Sequence, residues 1–205
     1  GIRYSIAKKA LVVSHKEYGQ LPVELLSDGI RNMIGMVADI AFRATKLNPA
    51  LGASASEKTT GIVLIDEVDM HLHPSWQQLV LQSLREAFPK IQFIVTTHSP
   101  QVATTVPPES LRILTSEGVN AAPPGTEGAE SSRVLKRVFG VDVRPQSLVA
   151  TKELLRYLQL VNDDKWETEE ALQLRSKLDQ RYRGEEPALI EADLLIENKK
   201  WERSE

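Results

Sequence analysis

The sequence predicts an α/β fold, a parallel sheet with helices on its faces, followed by an all-helical appendage. Three observations carry this. Two short apolar runs, "GIVLI" at 61–65 and "IQFIVTT" at 91–97, are separated by a segment with helical spacing. Both runs are too short for helices and too uninterrupted to alternate, as expected of strands buried on both faces. Beyond residue 133 the apolar residues recur only at helical spacing.

The elements follow in order. "KKALVVSH" reads as a short strand and "YGQLP" as a turn. In "LLSDGIRNMIGMVADIAFRATKL" the apolar Ile30, Ile34, Val37, Ile40, Ala41 and Ala44 mark one helix face, with Ser27 or Asp28 as N-cap. "NPALGASASEKTT" is a polar loop. After the first apolar run, "HPSWQQLVLQSLREAF" is helical, with Pro74 suited to a first turn. Ser99 and Pro100 repeat that start after the second run, and "SLRILTS" reads as a third strand. Strand, helix, strand, helix, strand at these spacings describes a parallel sheet.

Composition then shifts. "TSEGVNAAPPGTEGAESSR" is rich in Gly, Pro, Ala and Ser and reads as a mobile loop or linker. "SLVATKELLRYLQLV", "ETEEALQLRSKLDQRY" and "PALIEADLLIENKKWER" read as amphipathic helices, with Leu154, Leu155, Leu158 and Val161 on one stripe. The expected division is 1–114, a linker at 115–133 and the helical appendage at 134–205. Tyr157, Trp166, Tyr182 and Trp201 read as core or interface anchors, and Glu191 and Asp193 as part of a solvated face.

Composition narrows the function. Hydrophobic residues make up 41% of 205, enough for a folded core. A net charge of −3 is too small to imply nucleic-acid or membrane binding by bulk electrostatics. The absence of cysteine excludes disulfides and thiol chemistry and fits a reducing cytoplasm. No apolar run approaches the ~18 residues of a membrane span. The start "GIRYSIAKKA" lacks an initiator Met and reads as a cut from something longer.

The chemistry gathers after the two apolar runs. Ligands of open α/β sheets bind beyond the carboxyl ends of the strands. One end here carries Asp66 and Glu67, the other Thr97 and His98. A carboxylate there can hold Mg2+, a second can orient water, and a histidine can bond a phosphate oxygen. The pattern points to phosphoryl transfer. Asp69, His71 and His73 follow directly and read as shaping a dimer interface; a His-x-His pair with no cysteine and no clear third ligand argues against a metal site.

"LLSDGIR", "GIVLIDEVDMHLHP" and "IQFIVTTHSP" resemble, in order and spacing, the signature, Walker B with D-loop, and switch-histidine motifs of ABC-type P-loop ATPase heads. The resemblance covers about residues 9–114 and is nearest to the branch holding the overcoming-lysogenization-defect nucleases, RecF-like repair ATPases and the ATPases of Septu-type and retron-linked anti-phage systems. It implies ATP and Mg2+ as cofactors. It implies that Asp66 coordinates magnesium, Glu67 polarises water and His98 contacts the γ-phosphate. Ser27 and Gly29 would touch the γ-phosphate held by an opposite subunit, with Arg31 beside them. It further implies a homodimer closed around ATP, gating an effector such as an HNH-type nuclease in anti-phage defence or DNA repair. Nucleic acid would be reached through the complex, and no membrane would be involved.

The sequence departs from that family in one respect: no G-x-x-x-x-G-K-[ST] loop occurs, and no Gly precedes a Lys. The chain therefore reads as the C-terminal lobe of such a head, with its Walker A half elsewhere. A nucleotide-sensing scaffold with little turnover, docking an effector through its helices, is the alternative reading. A transporter ATPase is a third, disfavoured by the "HLHP" loop and the helical appendage.

Overall fold

The computed structural model describes residues 2–7, 9–15 and 17–203. Lys8, in the first expected strand, and Gly1, Lys16, Ser204 and Glu205, within the expected domain bounds, lie outside them. The chain forms two compact units, Gly1–Val141 and Asp142–Glu205.

The first unit opens with an antiparallel sheet of β1 (Ile2–Ser5), β2 (Ala10–His15) and β3 (Gly19–Pro22). The expected turn "YGQLP" is therefore mostly a strand, with Leu21 opposite Val13. Gly19 at φ +66 supplies the turn that the sequence signalled. α1 (Asp28–Leu47) follows, starting at Ser27 as expected. The segment expected as a loop instead holds a 3-10 stretch, Pro49–Ser54, and the short α2 (Ala55–Lys58).

β4 (Gly61–Ile65) and β5 (Ile91–Val95) pair in parallel, Ile65 opposite Val95. Their crossover contains two helices where one was expected, α3 (Pro74–Gln77) and α4 (Val80–Ala87). α5 (Pro100–Ala103) starts at Ser99, whose hydroxyl accepts the Gln101 and Val102 N–H groups. The apolar face of α1 meets Val80, Leu84 and Phe88 from the crossover and Val102 from α5 around one core. Burying each such side chain stabilises the fold by about 1.5–3 kcal/mol.

Two expectations are corrected here. β4 and β5 are not buried on both faces. Val63, Ile65, Phe93 and Val95 pack against the core, while Ile62, Leu64 and Ile94 are 64%, 75% and 52% exposed. The strand alternation of side chains divides the run into one packed and one bare face. β6 (Arg112–Thr115) is not a third parallel strand. It forms an antiparallel hairpin with β7 (Gly118–Ala121), Thr115 opposite Gly118. Within the Gly/Pro-rich stretch Thr126 is buried and the Gly128 N–H reaches the Thr104 carbonyl at 2.9 Å. α6 (Ser131–Arg137) closes the unit.

The second unit is α7 (Val149–Asn162), α8 (Glu169–Tyr182) and α9 (Pro187–Glu202) around its own core of Leu154, Tyr157, Leu160, Val161, Trp166 and Leu178. Leu158 joins the rim of that core, but Leu155 is 40% exposed. It sits about 100° from Leu154 around the helix, off the buried stripe. α9 is apolar on two faces rather than amphipathic: Leu189 and Ala192 are buried, while Ile190 and Leu194 are exposed. Among the described residues no helix is long and apolar enough to cross a membrane.

Candidate functional site

The candidate site is built where the parallel pair ends. Pairing continues one residue beyond the strands: the Thr96 N–H donates to the Ile65 carbonyl at 3.0 Å, and the Val68 N–H donates to the Thr96 carbonyl at 3.1 Å. This stitches the loop after β4 to the end of β5. The Thr96 hydroxyl adds two bonds. It donates to Asp66 Oδ1 at 2.5 Å and accepts the Glu67 N–H at 2.8 Å.

Asp66 and Glu67 are both exposed at this edge. Glu67 adopts φ +51, the left-handed region that non-glycine residues seldom enter. Val68 is buried in the core below them. A buried anchor thus holds a loop whose two preceding acids face outward.

A second hydroxyl acts one residue on. Thr97 Oγ1 donates to Asp69 Oδ1 and accepts the Ser99 N–H at 3.0 Å. The Ser99 hydroxyl donates to Gln77 Oε1 at 2.7 Å. Gln77 Nε2 in turn donates to the Leu72 carbonyl at 3.0 Å and the Asp69 carbonyl at 3.4 Å. The bonds close a ring that spans the loop after β4, α3 and the start of α5. His98 lies between Thr97 and Ser99, its own side chain exposed.

The remaining sequence candidates divide. Gly29 is buried at the start of α1, and its Cα faces the backbone carbonyl of His71. Gly29 and the loop after β4 are therefore adjacent. Ser27 is exposed and makes no side-chain cap bond. Arg31 is held on its own helix by Asp28, with Nη1 3.4 Å from the Glu24 carbonyl. His73 caps α3, its Nδ1 accepting the Ser75 N–H at 3.3 Å. His71 lies in the left-handed region at φ +62. Among the described residues no three His, Asp or Glu side chains gather as a metal cage.

Thr96, Gln77 and Ser99 in its link to Gln77 are the participants that motif reading passed over. The signal was present in "TTHSP", where three hydroxyl side chains flank a histidine at a strand end. Spacing alone does not say which acid each hydroxyl meets.

Residues 11–104 match the family described as "AAA domain, putative AbiEii toxin, Type IV TA system". The chain is 42% identical over 191 residues to the Retron Ec83 probable ATPase of Escherichia coli, covering 93% of this chain and 35% of that protein. It is 48% identical over 99 residues to the Retron Vc95 probable ATPase of Vibrio cholerae serotype O1 biovar El Tor, covering 48% and 19%. Against the Septu protein PtuA of Bacillus thuringiensis the identity is 28% over 180 residues, covering 80% and 44%. The chain thus spans about a third of the length of the Ec83 relative and less than half of the others.

Proposed function

We propose, since this chain is a relative of the retron ATPases and of the Septu protein PtuA, that it is the part of an anti-phage ATPase that carries the hydrolytic edge. The mixed α/β fold with its parallel pair fits a P-loop NTPase. The observation that carries the reading is the Asp66–Glu67 pair at the carboxyl end of β4, fixed to β5 through Thr96. Thr97 and His98 follow on the neighbouring strand end.

The roles follow from placement. Asp66 offers one carboxylate at the edge. That suits magnesium, which keeps several waters and takes one or two carboxylates besides phosphate oxygens. Bound there, the cation supplies neutralisation of phosphate charge. Glu67 lies one residue further, exposed, and serves to orient the attacking water. His98 is exposed beyond the neighbouring strand and donates toward the terminal phosphate. Ser27 and Gly29, at the start of a 20-residue helix, present amide groups to an anion. On the ABC-type reading they complete the site of an opposing copy, with Arg31 beside them. The 205 residues hold no phosphate-cradling loop, so ATP binding on this reading requires one supplied by another segment.

The same reading makes the chain a homodimer that closes around ATP and gates an effector such as a nuclease, which docks on the helices of 147–201. In those helices no clustered metal ligands occur among the described residues, and the exposed Ile190 and Leu194 suit contact rather than chemistry.

The test is Glu67→Gln in the full-length protein. ATP binding should persist, while steady-state hydrolysis falls by roughly 10²-fold or more, the scale of a lost general base. A mutant that turns over ATP at the wild-type rate would move the role away from Glu67. ATP binding by the wild type without any turnover would favour the nucleotide-sensing scaffold instead.

A further inference from the structure

We infer that Thr96 is the positioning residue for the Asp66–Glu67 pair, setting which carboxylate oxygen faces a divalent cation and where the Glu67 backbone sits. This rests on the ATPase reading above and deepens it.

The argument begins with proton inventory. A threonine hydroxyl has one proton to give and lone pairs to accept. At Thr96 the proton goes to Asp66 Oδ1, and the lone pair receives the Glu67 N–H. Both roles are then committed. The donation requires Oδ1 to be an acceptor, which a carboxylate oxygen is. With one lone pair of Oδ1 engaged, Oδ2 is the less encumbered oxygen for a cation.

The second argument is backbone geometry. Glu67 at φ +51 occupies the left-handed region, which residues other than glycine seldom enter. Something must hold it there. Its N–H bond to Thr96 Oγ1 does so locally, and Thr96 is itself fixed through Ile65 and Val68. One residue therefore makes four bonds to 65–68 and ties the cation-facing acid to the water-facing one. Thr97 does not duplicate this, because its hydroxyl goes to Asp69.

The experiment uses the full-length protein. The wild type is measured first, for ATP hydrolysis and for Mn2+ affinity by electron paramagnetic resonance with a non-hydrolysable ATP analogue. Thr96→Val replaces the hydroxyl by a methyl of similar size. It should lower kcat and weaken Mn2+ binding by about 10–100-fold, as loss of a partner behind a metal ligand does, with KM for ATP unchanged. Thr96→Ser should restore both. In an Asp66→Asn background Thr96→Val should cost less Mn2+ affinity than it does in the wild type, since the charged acceptor is already gone and chiefly the Glu67 bond is left to lose.

Wild-type kcat and Mn2+ affinity in Thr96→Val would overturn the inference, as would failure of Ser to rescue or full additivity with Asp66→Asn. If Thr96→Val does not fold, Thr96→Ala takes its place. A chain that folds with neither makes the hydroxyl a folding element and also overturns the inference. A wild type that neither hydrolyses ATP nor binds Mn2+ with nucleotide would sink the ATPase reading itself, a distinct result.

Discussion

At the scale of single residues, Gly29 shows how one position can answer to two demands. Motif reading assigned it to a phosphate contact. The fold adds a steric reason: a methyl carbon at residue 29 would overlap the His71 carbonyl oxygen, and its carbonyl carbon would lie at 3.1 Å. The obstacle is backbone, so it cannot swing aside. Gly29→Ala should therefore push α1 from the loop after β4 and cost about 1–3 kcal/mol, the usual scale of overpacking. A lowered thermal midpoint would be the readout, and an unchanged one would mean the loop yields freely. Gly35 lies on the same helix with no atom within 4 Å of the added carbon, so Gly35→Ala is the control. The acids and the histidine were legible from sequence because they follow apolar runs. The partners of Thr96, Thr97 and Gln77 were not, because hydrogen bonds between loops depend on which strand ends become neighbours.

At the scale of elements, periodicity identified strands and helices better than it identified their partners. "SLRILTS" has the hydropathy of a strand in any sheet. Gly118, at φ +139, lies directly opposite Thr115 and lets the chain turn back on itself, so β6 meets β7. The three helices of the second unit were readable because each carries at least one apolar stripe, and α9 carries two. What holds the start of α9 was not readable. Glu186 is buried, accepts the Ala188 N–H at 3.1 Å, and meets Arg144 through two bonds of 3.1 and 2.7 Å. The Arg144 guanidinium holds the Glu186 carboxyl below its ordinary value, against the opposing effect of burial, and the Ala188 N–H adds to it. A carboxyl lowered in the folded state contributes stability that is complete above its unfolded value. That stability is lost as pH falls through the folded one. Acid melting followed by circular dichroism should show the helical unit weakening in that window. Glu186→Gln should flatten this dependence; an identical acid profile would show that the exposed pairs, such as Arg156–Glu170, carry the effect instead.

For the whole molecule, each unit encloses a core of its own, and the two cores share no residue. The candidate site sits in the first, at the edge of its parallel pair. That pair has another property. Among the described residues neither β4 nor β5 bonds a further strand, and Ile62, Leu64 and Ile94 form a bare apolar face beside the two open edges. In colloidal terms such a pair is a seed. Unpaired backbone groups beside exposed aliphatic side chains recruit like strands from other chains. The 205-residue chain produced on its own should therefore scatter light increasingly with concentration and time. Leu64→Lys with Ile94→Lys should suppress that growth by placing like charges on neighbouring strands. Scattering that persists undiminished in the double variant would locate the seed elsewhere in the chain.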